Sequence, residues 1–198
     1  MLAQDQRKLF KDKSQIDNRR QLLDLPHIAP LKRYAENLRK SDLGEIPDFD
    51  PLDGGINAKA LFLMEKPGPK AFVSGFISRD NNDETAAATF DFMLKANIPR
   101  DLSVLWNVIP GWDRKREFSS DDLRKGAVHL NGLIALLPKL RVIFCVGKTA
   151  QKAFAKSDST FNPVLTSIHP SPINRARRPK EWSNIWMQWA KALSYIMD

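Results

Sequence analysis

A chain of 198 residues with a formal charge of +8 and a pI near 9.7 is long enough for one domain with a sizeable core, and its 42% hydrophobic and 27% charged content is that of a soluble globular protein. No run approaches the roughly 18 apolar residues of a membrane helix, and residues 1–13 are too polar for the apolar centre of a signal peptide, so a cytosolic location is expected, or a nuclear one if the cell has a nucleus. The single cysteine, Cys145, lies in the apolar run RVIFCVG and reads as packing; an intramolecular disulfide and a cysteine-bound zinc or iron-sulfur cluster are excluded.

Along the chain, the first 40 residues are polar and basic. APLKRYAENLRK places Leu31, Tyr34, Ala35 and Leu38 at helical spacing, which predicts a helix laid on the core after a mobile start. Residues 41–55, SDLGEIPDFDPLDGG, are acidic and read as an irregular connection. From Ala58 short apolar runs alternate with helical segments. KALFLM is a predicted strand, DETAAATFDFMLKANI a helix capped near Asn82 or Asp83, and LSVLWNVI a second strand. Leu123, Ala127, Leu130, Ile134 and Leu137 then make one apolar stripe behind a Ser119 or Ser120 cap, an amphipathic helix. LRVIFCVG is a third strand, KTAQKAFAK a short helix, PVLTSI a fourth strand, and EWSNIWMQWAKALSYI a last helix. This order predicts a single α/β domain over residues 1–198, three-layered α/β/α around a mainly parallel four-stranded sheet, with residues 1–40 as a basic helical extension packed on or flanking it.

Charge points to a partner. An excess of Lys and Arg suits a polyanion, because neutralising phosphates releases counterions. The acidic stretch 41–55 holds no Lys or Arg, whereas residues 139–156 carry bases and no acid, a segregation expected of a one-sided binding surface.

In open α/β sheets ligands sit outside the carboxyl ends of the strands. Here those ends read MEKPGPKAF, WNVIPGW, CVGKTA and SIHPSP. The motifs MEKPGPKAF, LWNVIPGW and SIHPSP, in this order and each closing a predicted strand, resemble those of the uracil-DNA glycosylase superfamily. His-Pro-Ser-Pro is the most specific of them. The resemblance runs from about Asp50 to Ile173 and includes VIFCVGKTAQKAF, which looks like the third strand and following helix of that fold.

The resemblance implies hydrolysis of a base-sugar bond in DNA, as in base-excision repair, without cofactor or metal and by a monomer. The residue chemistry agrees with it. A glycosylase takes the base out of the stack and breaks the bond through an oxocarbenium-like state. His169 would supply a hydrogen-bond donor to the departing base and Glu65 a carboxylate that orients water. Asn107 carries an acceptor and a donor that match N3–H and O4 of uracil. Phe76, or else Phe72, would stack on the flipped ring, and Pro67 and Gly68 would line its pocket. Ser171 and Pro172 form a stiff turn for phosphate, with Lys66, Arg175, Arg177 and Arg178 supplying charge.

One position departs from the commonest superfamily pattern, which has its catalytic aspartate where this chain has Lys66. In the iron-sulfur branch the motif reads Gly-Glu-Ala-Pro-Gly, and Glu65 matches its glutamate. The cysteines of that branch are absent, so the resemblance implies a cluster-free relative. Lys66 would contact phosphate or lower the basicity of Glu65. That feature supports a rival reading, a non-catalytic damage sensor that keeps the base pocket; a hydrolase of nucleosides or RNA is a third.

Other residues read as structure. Trp182, Trp186 and Trp189 share one helical face, which is core packing, and His27 and His129 lack a functional setting. GKT at residues 147–149 resembles the end of a phosphate-binding loop, but Val142 stands where that loop needs glycine.

Overall fold

The computed structural model describes residues 6–197. Two helices, α1 (Lys13–Arg20) and α2 (Ala29–Leu38), precede a short strand β1 (Asp48–Phe49) and the first strand of the central sheet, β2 (Ala60–Met64). There follow α3 (Pro69–Ser74), β3 (Phe76–Ile77), α4 (Glu84–Lys95), β4 (Ser103–Asn107), α5 (Ser120–Ala135), β5 (Val142–Val146), α6 (Lys148–Lys156) and β6 (Val164–Ser167). Four short helices close the chain: α7 (Pro172–Arg177), α8 (Pro179–Ser183), α9 (Ile185–Ala190) and α10 (Leu193–Ile196).

The central sheet has the order β4-β2-β5-β6 with every pair parallel, while β1 and β3 form a separate parallel pair. All residues of β2, β4 and β5 are buried, as their unbroken apolar runs require of strands covered on both faces. Helices α5 and α6 pack on each other over the sheet, and α4 packs on α9. At the centre Phe62 and Phe144 stack at 5.4 Å and the Trp189 ring meets Phe62 edge-on at 5.2 Å, contacts that contribute about 0.5–1.5 kcal/mol each beyond their buried area. Trp189 also donates from its indole nitrogen to Ser167 Oγ at 2.9 Å, which joins the C-terminal helices to the end of β6.

Helix boundaries follow local chemistry. Of the two candidate caps, Asp83 accepts from Ala86 N, and the helix stops before Asn97, whose φ of 54° is left-handed. Ser119 caps α5 in a reciprocal capping box with Asp122. The last predicted helix is instead broken at Asn184 (φ −100°, ψ 5°) and again after Ala190. The tryptophans pack as expected: Trp189 is in the core and Trp182 lies edge-on to Phe92 at 4.8 Å. Among the described residues no helix is long and apolar enough to cross a membrane.

The acidic stretch 41–55 does not form the surface patch that its composition suggests. Asp50 and Asp53 are buried, and with Asp80 they face the guanidiniums of Arg19, Arg79 and Arg100. Three acids balance three bases, the condition under which buried charge is tolerated. Burial would raise Asp50, but Arg100, Arg19 and the Ser78 hydroxyl reverse this and hold it at about 2. Burial prevails at Asp53, pushed up to about 6 against Arg79 and Arg100. Arg19 comes from α1, so part of the N-terminal extension is built into the interior. Residues 1–5, the start expected to be mobile, lie outside the described residues.

Candidate active site

The sheet order places the carboxyl end of β2 between strands that leave it in opposite directions, β4 on one side and β5 on the other. Such a switch point opens a crevice. Glu65 is the first residue beyond β2, and Asn107 ends β4 beside Met64 in the register. His169 follows β6 by two residues. All three line one cleft of about 580 Å³, together with Pro67, Gly68, Ser171 and Pro172.

The side chains are held from behind. Thr149, in the first turn of α6, donates its hydroxyl to Glu65 Oε2. His169 sits against Gly147, whose φ of 90° suits glycine; a Cβ there would lie 3.1 Å from His169 Cβ. The His169 carbonyl accepts from Asn174 Nδ2 at 2.8 Å, tying the imidazole's backbone to α7. Burial lowers the His169 pKa, against an opposing pull from the Glu65 charge, so the ring is neutral at pH 7. Ser171 caps α7 by accepting from Asn174 N, and Pro172 occupies its first turn, so the expected stiff turn runs directly into a helix.

Asn107 is only 6% exposed, yet its amide makes no hydrogen bond within the described residues while it lines the cleft. The amide atoms are not sealed from solvent, so they stand open to the cleft, with an acceptor and a donor available to a ligand there. The floor near it is fastened by its own bonds: Asn81 accepts from Ser74 Oγ at 2.6 Å and donates to the Phe76 carbonyl at 2.9 Å, and Ser78 donates to Asp50 of the buried ion network.

Three expectations change. Phe76 does not reach the cleft; β3 alternates, so Ile77 lines it while the Phe76 ring, 1% exposed, packs on Phe10 and Ile16. Phe72 is outside the lining too, half-exposed with the Arg114 guanidinium 5.6 Å from its ring; Trp112 is the large aromatic residue of the wall. Lys66, expected to meet phosphate or Glu65, turns its ammonium to Asp113 Oδ1 at 2.5 Å and the Glu117 carbonyl at 3.1 Å, with its side chain 5% exposed. Of the three arginines, Arg178 pairs with Glu181 and Arg175 lies over Trp182 at 5.3 Å, which leaves Arg177 as the one with neither an ion pair nor a ring contact among the described residues.

Besides Trp112, two lining or supporting residues singled out by the structure had no reading from sequence. Thr149 belongs to GKT, which by itself is an incomplete nucleotide loop. Ile173, 62% exposed on α7, lines the cleft lip; an aliphatic residue between Pro172 and a run of polar residues was its only signal.

Comparison with protein families agrees with this geometry: the model of the Uracil DNA glycosylase superfamily matches residues 52–190. The chain belongs to that superfamily, which supports glycosylase-type chemistry in general and DNA as the partner. No match was found among curated proteins.

Proposed function

We propose that the protein is a monomeric DNA glycosylase that hydrolyses the N-glycosidic bond of uracil or another deaminated base, as a single domain working in the cytoplasm or nucleus. The observation that carries this reading is the meeting of Glu65, Asn107 and His169 in one cleft, with the Asn107 amide unpartnered.

In this reading the target nucleotide leaves the stack and its base enters the cleft. Asn107 accepts from N3–H and donates to O4. Trp112 takes the stacking role expected of Phe76. The sugar-base bond breaks with its electron pair leaving on the base, and His169, neutral, donates to the oxygen where that charge collects. Water oriented by Glu65 forms the new bond to the sugar carbon and passes its proton to the carboxylate. Ile173, apolar and exposed at the lip, fills the gap left in the stack, as inserted aliphatic side chains do elsewhere. Ser171 and Arg177 meet phosphates beside it.

The damage-sensor alternative draws on Lys66 at the aspartate position, where the ammonium bonds to residues 113 and 117 and supplies no carboxylate. The test is incubation with end-labelled oligonucleotides bearing uracil, hypoxanthine or xanthine, followed by alkali. Strand scission at one of these bases is the expected result. Tight binding with no abasic product from any of them would sustain the sensor instead.

A further inference from the structure

The bonds made by Lys66 have a geometry that neither catalysis nor folding of the sheet explains. Its ammonium joins the two ends of the segment 113–117, the Asp113 carboxylate and the Glu117 carbonyl, and lies 5.7 Å from the Trp112 ring. Between those ends stand three consecutive cations, Arg114, Lys115 and Arg116, all exposed. The segment is shaped as well as tethered: Asp113 Oδ1 also accepts from Lys115 N at 3.0 Å, and Arg114 takes a left-handed φ of 68°. At its root, Trp112 and Glu45 exchange backbone hydrogen bonds of 2.9 Å.

The local charge is net positive where it is free. Lys66 neutralises Asp113, whose pKa its hydrogen bond lowers, and Arg114 is engaged by Glu45 at 3.1 Å. The side chains of Lys115 and Arg116 have no ion-pair partner among the described residues, and Arg116 lines the cleft. Glu117 is the acid beside them.

Position decides what these cations face. The segment follows β4 and α7 follows β6, the two edge strands of the sheet, so they stand on opposite banks of the cleft. Three inter-strand spacings separate those edges, about 14 Å. A strand of nucleic acid with one base in the cleft must run on across both banks.

We infer that residues 113–117 are a second grip on the DNA backbone, facing α7 across the cleft, with Lys115 and Arg116 as phosphate contacts and Lys66 as the residue that positions them. The inference rests on the glycosylase reading for the substrate in the cleft. It gives the lysine at the aspartate position a role: the motif residue is used to hold a binding loop.

The experiment measures binding of a fluorescein-labelled, undamaged single-stranded oligonucleotide by anisotropy across a salt series. In Lys115→Gln/Arg116→Gln the slope of log K against log salt falls in magnitude by about 1.4, roughly 0.7 for each single-strand phosphate that the chain no longer neutralises. Lys66→Met weakens binding in the otherwise unchanged chain but adds nothing in the Lys115→Gln/Arg116→Gln background, since a positioning residue acts only through what it positions. An unchanged slope in the doubly substituted chain overturns the grip, and an equal loss from Lys66→Met in both backgrounds overturns the positioning role. Thermal melts of each variant separate these results from unfolding, and the exposed pair 115 and 116 tests the grip even where Lys66→Met does not fold. Excision by the unaltered chain is scored separately. Excision of a deaminated base with an insensitive slope removes this inference alone; a slope lowered by the expected amount without excision of any base removes the glycosylase reading alone.

Discussion

The Thr149 hydroxyl, at the start of α6, donates to Glu65 Oε2 at the end of β2, so one carboxylate oxygen is held by the protein and the other is left for water. A hydrogen bond to a charged group contributes about 1.5–3 kcal/mol. If that energy orients the carboxylate in the transition state, Thr149→Val slows single-turnover excision roughly ten- to a hundredfold with DNA affinity nearly unchanged, and Thr149→Ser restores it. Glu65→Gln costs roughly a hundredfold or more on its own, the scale of a positioned acid-base group. Added to Glu65→Gln, Thr149→Val should cost little more, because the two act as one unit. Full additivity of the two losses would show that Thr149 acts elsewhere.

Asn107 gives the base preference its test. Cytosine presents an acceptor at N3 and an amino donor at C4, the reverse of uracil, and mispairs with an amide in a closed wall. Asn107→Asp keeps the shape, removes the donor to O4, and accepts from the cytosine amino group. The expected outcome is loss of most uracil excision and a narrower preference for uracil over cytosine, read from unpaired oligonucleotides that differ only in U or C. Retention of both normal rate and normal preference would make Asn107 a structural residue of the sheet end.

His169 makes stability depend on pH with a definite sign. Its pKa in the fold is lowered by burial, partly offset by Glu65, and so lies below the ordinary 6.5. Between the lowered value and 6.5 the unfolded chain binds more protons than the native one. Stability from this group is therefore complete above about pH 6.5 and is lost as pH falls through the folded pKa. Urea midpoints of the unaltered chain and His169→Gln, compared from pH 5 to 8, should differ most steeply in that window and run parallel above it. Excision should be insensitive to His169 titration from pH 7 upward, where the ring is neutral throughout.

Arg19 tests whether the N-terminal helix belongs to the folded core. Its guanidinium donates to Asp50 at 2.5 and 2.6 Å and to Asp80 at 2.9 Å, with its side chain 4% exposed. Arg19→Met leaves two buried carboxylates short of a partner, a loss of about 3–5 kcal/mol. Lysine should rescue little, since a point charge cannot reproduce the forked contacts. Chemical denaturation measures both. A loss below about 1 kcal/mol would mean that α1 contributes little to the fold.

The order of the four central strands and of the helices between them, and the parallel sheet they form, were legible in the sequence, because apolar runs and helical spacing are local signals and the chain reverses in a regular way. That Glu65, Asn107 and His169 meet in one cleft was legible for the same reason: each lies at or just beyond the end of a strand, and parallel strands deliver their ends to one edge. What sequence could not carry was the direction of side chains in short or irregular segments and the partners of charges distant along the chain. Phe76 points to the N-terminal helix because β3 is only two residues long and its partner Phe10 lies far upstream. Asp50 and Asp53 read as surface acid until Arg19, Arg79 and Arg100 are brought beside them. Lys66 is separated by 47 residues from Asp113, and Thr149 by 84 from Glu65, so their roles exist only in three dimensions. Periodicity declares which face of an element is buried; only the closed fold decides which charge meets which.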